Sequence, residues 1–100
     1  NLVKVKIDTE NIHVNCLGIG NVCTKFKGNG DGKRLMQGLS QYLLENNEVG
    51  LLFCKNNLVD FYLKYGWKLI NNLHPLDQIN TMLFNYTRPE NNFTYTDRLF

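Results

Sequence analysis

The run Lys27-Gly28-Asn29-Gly30-Asp31-Gly32 places glycine at every second position, immediately before a segment of helical apolar spacing. Glycine carries no Cβ, so the backbone N–H groups of such a run can turn onto a ligand. A helix that follows adds unpaired N–H donors and the positive end of its dipole. The chemistry this combination serves is the binding of phosphate or pyrophosphate. Lys25, Lys27, Lys33 and Arg34 add positive charge around it. The plain alternative is a turn closed by a helix.

Three look-alikes fail on spacing. A P-loop needs four residues between its glycines and then Lys with Ser or Thr, whereas Arg34 follows Lys33 here. The dinucleotide fingerprint Gly-x-Gly-x-x-Gly is broken by Cys23 after Gly18 and Gly20, and by Lys33 after Gly28 and Gly30. An EF-hand register would put Lys27 and Gly38 at its first and last ligand positions, where carboxylates are required.

Other reactive side chains are sparse. Cys16, Cys23 and Cys54 lack the close pairing of a zinc site. They read as reduced, buried thiols. His13 is a conceivable general base, although a structural histidine is the commoner outcome. Asp97 can contribute to binding a cationic acceptor.

The elements that must position these residues follow from pattern. Leu2 to Asp8 alternates apolar and polar residues, as a half-buried strand does. Thr9-Glu10-Asn11 reads as a turn, and a hairpin partner strand runs from about Ile12 to Thr24. Gly18 and Gly20 within it predict a bulge or a close backbone approach. Lys33 to Glu45 is helical, with Leu35, Met36, Leu39, Tyr42 and Leu43 on one face. Gly38 inside it implies a packing reason, because glycine costs a helix about 1 kcal/mol relative to alanine.

Val49 to Cys54 is an unbroken apolar run between two helical patterns and reads as a buried parallel strand. Asn57 can cap the next helix, whose Leu58, Phe61, Tyr62 and Tyr65 share a face. Gly66 suits the end of that helix. Trp67 to Ile70 and Thr81 to Tyr86 read as strands. Phe93 to Phe100 is a last edge strand or a docked tail. The fold expected is one α/β domain with a mixed sheet, a parallel β–α–β centre and antiparallel ends.

Two segments carry a family resemblance. Gly18-Ile19-Gly20-Asn21-Val22-Cys23-Thr24, the glycine loop and Lys33-Arg34-Leu35-Met36 resemble the acetyl-CoA motif of the GNAT superfamily of N-acetyltransferases. That motif is a strand leading into Arg/Gln-x-x-Gly-x-Gly/Ala and a helix. Lys27 stands where Arg or Gln is usual, with Gly30 and Gly32 in the glycine positions. Leu51-Leu52-Phe53-Cys54 and then Asn57 to Trp67 resemble the family's later strand and its Tyr-x-x-x-Gly-Phe/Trp helix end. The pair lies in the family's order and covers about half of the chain.

The resemblance implies a GNAT-like acyl-CoA N-acyltransferase fold over residues 1–100, without counterparts of the family's first strand and two early helices. It implies direct transfer of an acetyl group from acetyl-CoA to a primary amine, with a small-molecule amine as acceptor. Val22, Cys23 and Thr24 would hold the pantetheine arm. Lys27, Gly28, Asn29, Gly30, Asp31, Gly32 and Lys33 would hold the pyrophosphate, and Asn57 would join the cofactor-binding set. Tyr62 would protonate the departing thiolate; its alternative role is core packing. Phe61 and Trp67 are packing residues. A CoA-binding module without catalysis is the alternative, and a structural domain without cofactor a third.

Composition bounds the remainder. A hundred residues with 43% apolar and 20% charged content fit one globular domain. A net charge of +2 is too small to argue for nucleic acid or an anionic membrane. No metal is expected. No apolar run reaches the roughly 20 residues that span a bilayer, and Asn1 to Lys6 lacks a signal peptide's apolar core. A cytoplasmic location is expected. A partial domain would expose an apolar sheet face and associate, which makes a homodimer an expectation too.

Overall fold

The computed structural model describes residues 2–20 and 32–100 in full and the backbone of residue 31. The alternating segment Leu2–Asp8 forms β1. It pairs antiparallel with β2, His13–Ile19, from Leu2 opposite Ile19 to Asp8 opposite His13. Thr9 builds the turn between them: its N–H donates to the Ile12 carbonyl at 2.9 Å, and the Asn11 and Ile12 N–H groups donate to its hydroxyl. The polar residues between the two apolar runs thus close the hairpin with local bonds.

Helix α1 spans Asp31–Glu45, β3 spans Val49–Lys55, and a 3-10 turn, Asn56–Leu58, leads into α2, Val59–Leu63. Strands β4, Lys68–Ile70, and β5, Ile79–Phe84, complete a five-stranded sheet of order β1-β2-β3-β5-β4. The β2–β3 pair is parallel and the others are antiparallel. The domain is therefore a mixed α+β structure, with a parallel centre joined through α1.

The pleat divides the core in two. Leu17, Ile19, Leu52, Cys54, Met82 and Phe84 point to the face that meets Met36 and Leu43 of α1 and Tyr62 of α2. Val5, Ile7, Val14, Cys16, Leu51 and Leu83 point the other way, where Phe93 and the tail around Tyr95 and Phe100 cover them. The tail docks without becoming an edge strand: its one bridge is Thr94 with Asp8. Asn71 fixes its start, accepting from the Phe93 N–H at 2.9 Å and donating to the Phe93 carbonyl at 2.8 Å.

Several expectations need correction. Helix α1 begins at Asp31, ahead of Lys33, because apolar spacing marks where a face begins rather than where the backbone coils. Its buried stripe is Gly32, Met36 and Leu43, with Leu39 at the margin. Leu35 and Tyr42 are nearly half exposed, beyond the reach of the sheet. Gly38 is exposed, and a Cβ there would meet nothing within 4 Å, so no packing explains it. Gly18 makes no bulge; it pairs with Val3 and with Leu51. Strand β5 lies two residues earlier than expected, ending at Phe84. Asn57 caps nothing: it sits inside the 3-10 turn, and the position before α2 is Leu58. Gly66 ends α2 with φ +89°, a conformation that costs glycine least.

Candidate functional site

Among the described residues β2 and β3 share three register pairs, the last being Gly18 with Leu51. Strand β3 is also paired with β5, as far as Lys55 opposite Ile79. An open sheet of this kind binds ligands in the crevice outside the carboxyl ends of parallel strands.

Two helix starts lie at this end of the sheet. Helix α1 follows β2, and the 3-10 turn and α2 follow β3. The first turn of α1 supplies unpaired N–H groups and a positive dipole end. Gly32 is buried there, while Lys33 and Arg34 are exposed. Asn57 is exposed at the end of β3. Gly32, Lys33 and Asn57 thus reach the same end of the sheet. Val22, Cys23, Thr24, Lys27, Gly28, Asn29 and Gly30 lie outside the described residues, as does the side chain of Asp31.

Tyr62 is fully buried among the helix-face residues. Its ring meets Phe61 edge-on at 5.3 Å and Trp67 at 6.3 Å. It shares its cluster with Leu52 and Cys54 of β3. Trp67, also buried, stacks on Phe84 at 5.3 Å. Both rings take part in the packing that holds α2 to the sheet.

The opposite face of the crevice is aromatic, and spacing alone did not reveal it. Among the described residues Phe53 has ring neighbours in Phe100 at 5.0 Å, His74 at 5.1 Å and Tyr95 at 6.0 Å. A net of asparagine bonds folds the loop that carries His74. The Asn72 carboxamide oxygen accepts from the His74 N–H at 3.0 Å and from the Thr81 hydroxyl at 3.2 Å. Its nitrogen donates to the His74 and Leu76 carbonyls. The available signal was Gly18, where the sequence predicts a close backbone approach and the structure instead brings a side chain, Phe100, against it.

The other chemical candidates stand elsewhere. His13 is paired with Asp8 at the amino end of β2. Five residues of strand separate it from Gly18, roughly 17 Å at the usual rise. Asp97 lines an open groove of about 670 Å³ with Lys4, Lys6, Tyr42 and Glu48, beside the amino end of β3. Cys16 and Cys54 are buried. Burial, with a smaller contribution from Glu48, pushes the Cys16 thiol up to about 12, so it is not a nucleophile at neutral pH. Among the described residues no cluster of His, Cys, Asp and Glu could hold a metal ion, and no helix is long and apolar enough to cross a membrane. Compared with protein-family models and with curated proteins, the chain matches none.

Proposed function

We propose that the chain is the C-terminal part of a GNAT-like N-acetyltransferase domain, which moves an acetyl group from acetyl-CoA to a primary amine of a small molecule. The observation that carries this reading is the parallel pair β2–β3 at the centre of the sheet, each strand followed in the chain by a helix. An extended arm can add to the exposed flank of a strand through main-chain hydrogen bonds. The pantetheine arm is such a group, and the segment Val22 to Thr24 would pair with it. The pyrophosphate would then meet the glycine run and the first turn of α1, where N–H donors and the dipole favour an anion. Lys27 and Lys33 would add charge.

In the reaction, the amine nitrogen attacks the thioester carbonyl and forms the C–N bond. The C–S bond breaks, the amine releases a proton to solvent, and the departing thiolate takes one. Tyr62 would supply that proton and regain it from solvent. What supports this role is that it packs with Leu52 and Cys54 in the carboxyl half of β3. Catalysis requires the bound thioester to reach the phenol within hydrogen-bond distance.

The full burial of Tyr62 favours a second reading, a CoA-binding module in which the tyrosine only packs. Calorimetry with acetyl-CoA tests what the two readings share: saturable binding is expected, and none at millimolar ligand removes both. Thioester consumption over a panel of amines separates them. Tyr62→Phe is expected to lower turnover on the order of a hundredfold, within the usual range for a general acid, with acetyl-CoA affinity unchanged. Unchanged turnover would leave Tyr62 as a packing residue.

A further inference from the structure

Lys68 and Ile70 of β4 stand opposite Leu83 and Thr81 of β5, so their side chains share the sheet face that carries Leu83. That face is otherwise apolar here, and a hollow of about 180 Å³ opens on it. Ile70, Leu83 and Phe93 form its floor. Leu83 and Phe93 are each 3% exposed and Ile70 is half-buried, while Lys68 and Arg88 stand exposed at the rim.

The walls are braced on both sides. Asn71, directly after β4, bonds to the N–H and the carbonyl of Phe93 through its side chain. Tyr86 meets the Phe93 ring edge-on at 5.4 Å, and its hydroxyl donates to the Glu90 carboxylate at 3.2 Å. That bond closes the short segment that holds Thr87, Arg88 and Pro89, in which the proline ring fixes φ. Arg88 is thus presented at the edge of a formed hollow.

Charge and size select the ligand. The lining carries two cations, Lys68 and Arg88, against one carboxylate, Glu90, which already accepts from Tyr86. Neither cation has an ion pair among the described residues. The surplus of one positive charge matches a single negative charge, and a guanidinium grips a carboxylate through two parallel N–H bonds. A cavity of about 150 Å³ is enough for a benzene ring, so the floor accepts an apolar body of that size. A phosphate dianion would exceed the available charge and leave the floor unused.

We propose that this hollow binds a monocarboxylate with an apolar body about the size of a phenyl ring. The carboxylate sits on Arg88 and Lys68, and the body lies against Ile70, Leu83 and Phe93. The ligand is neither the thioester nor the amine of the reaction proposed above, so the two readings stand or fall separately.

Titration of the chain with phenylacetate, followed by amide chemical shifts, reads the site without acetyl-CoA. Saturable shifts at Ile70, Leu83 and Phe93 are expected, with nuclear Overhauser contacts between the ligand ring and the Ile70 methyl groups. Phenylacetamide keeps the ring and lacks the charge, and acetate keeps the charge and lacks the ring; each is expected to bind about tenfold or more weakly. Arg88→Gln removes an exposed side chain, so its amide spectrum should otherwise match the wild type, and it is expected to lose about tenfold in phenylacetate affinity. Lys68→Gln is expected to lose about threefold, because a single exposed ammonium contributes less. No saturation at roughly 10 mM phenylacetate, far weaker than the millimolar affinity of a modest site, overturns the proposal. So do shifts that map elsewhere, or an Arg88→Gln chain that binds as the wild type does. Equal affinity for phenylacetamide overturns the carboxylate class, and equal affinity for acetate overturns the apolar body.

Discussion

Trp67 on one face of the sheet and Phe100 on the other each lay a ring over a glycine, Gly50 and Gly18. A Cβ built on either glycine would meet its ring at 2.7 Å. The surroundings differ. Trp67 is 1% exposed, and the same built Cβ on Gly50 also meets Leu43 of α1 at 2.8 Å, so helix, strand and ring lock together. Phe100 is only partly buried, and its ring lies 5.0 Å from that of Phe53. The same local fit therefore serves two purposes. On the helix face it fixes the core, and on the tail face it covers the end of β2 with a partly exposed ring.

The largest effect that can test this contrast is loss of the rings. Trp67→Ala leaves a cavity in an enclosed site and is expected to cost about 3–5 kcal/mol by urea denaturation, whereas Phe100→Ala is expected to cost less than about 1 kcal/mol. Similar costs would mean that the tail is as firmly built in as the helix face. The glycines sharpen the point, because the added group is one methyl in both. Gly50→Ala forces Trp67 or Leu43 off its packed rotamer, for about 1–3 kcal/mol. Gly18→Ala only displaces a ring that has somewhere to go, and is expected to stay within about 0.5 kcal/mol. Phe100→Ala should cancel even that residue of destabilisation. A Gly18→Ala cost matching that of Gly50→Ala would break the comparison.

The two faces were unequally legible in the sequence for the same physical reason. Regular elements announce themselves through period. The alternation in Leu2–Asp8, the apolar run of β3 and the i, i+3, i+4 spacing around Tyr62 each led to the element observed. Period does not say how far a sheet reaches. Tyr42 reads as core on the helical wheel, yet α1 overhangs β1, whose inward positions on that face are Lys4 and Lys6. Nor does period describe a docked tail, whose contacts join residues far apart in the chain. Phe100 lies against Gly18 and Phe53 only because the bonds of Asn71 to Phe93 and of Asp8 to Thr94 aim the segment there. Side-chain-to-backbone bonds across such separations leave no spacing to read. The glycine pair at 18 and 20 was the one local trace, and it pointed to a close approach without naming the partner.

Cys16 offers the finest test of how tightly the tail face is sealed, because its thiol lies in that face's core, 3% exposed. Burial, then Glu48, raises its pKa from an ordinary 9.0 to about 12. Between those values the unfolded chain has lost the proton while the folded chain keeps it. The folded state binds more protons, so stability falls as pH rises through this window and is unaffected below it. The expected loss is about 1 kcal/mol from pH 9 to pH 10. Tyrosines and lysines titrate nearby, so the measurement is the difference in urea midpoint between the wild-type chain and Cys16→Ala across that range. A difference that narrows by about this amount fits a sealed face whose tail opens only at its Phe100 end. A difference independent of pH would mean that water already reaches Cys16, and that the whole tail, rather than its last ring, moves away from the sheet.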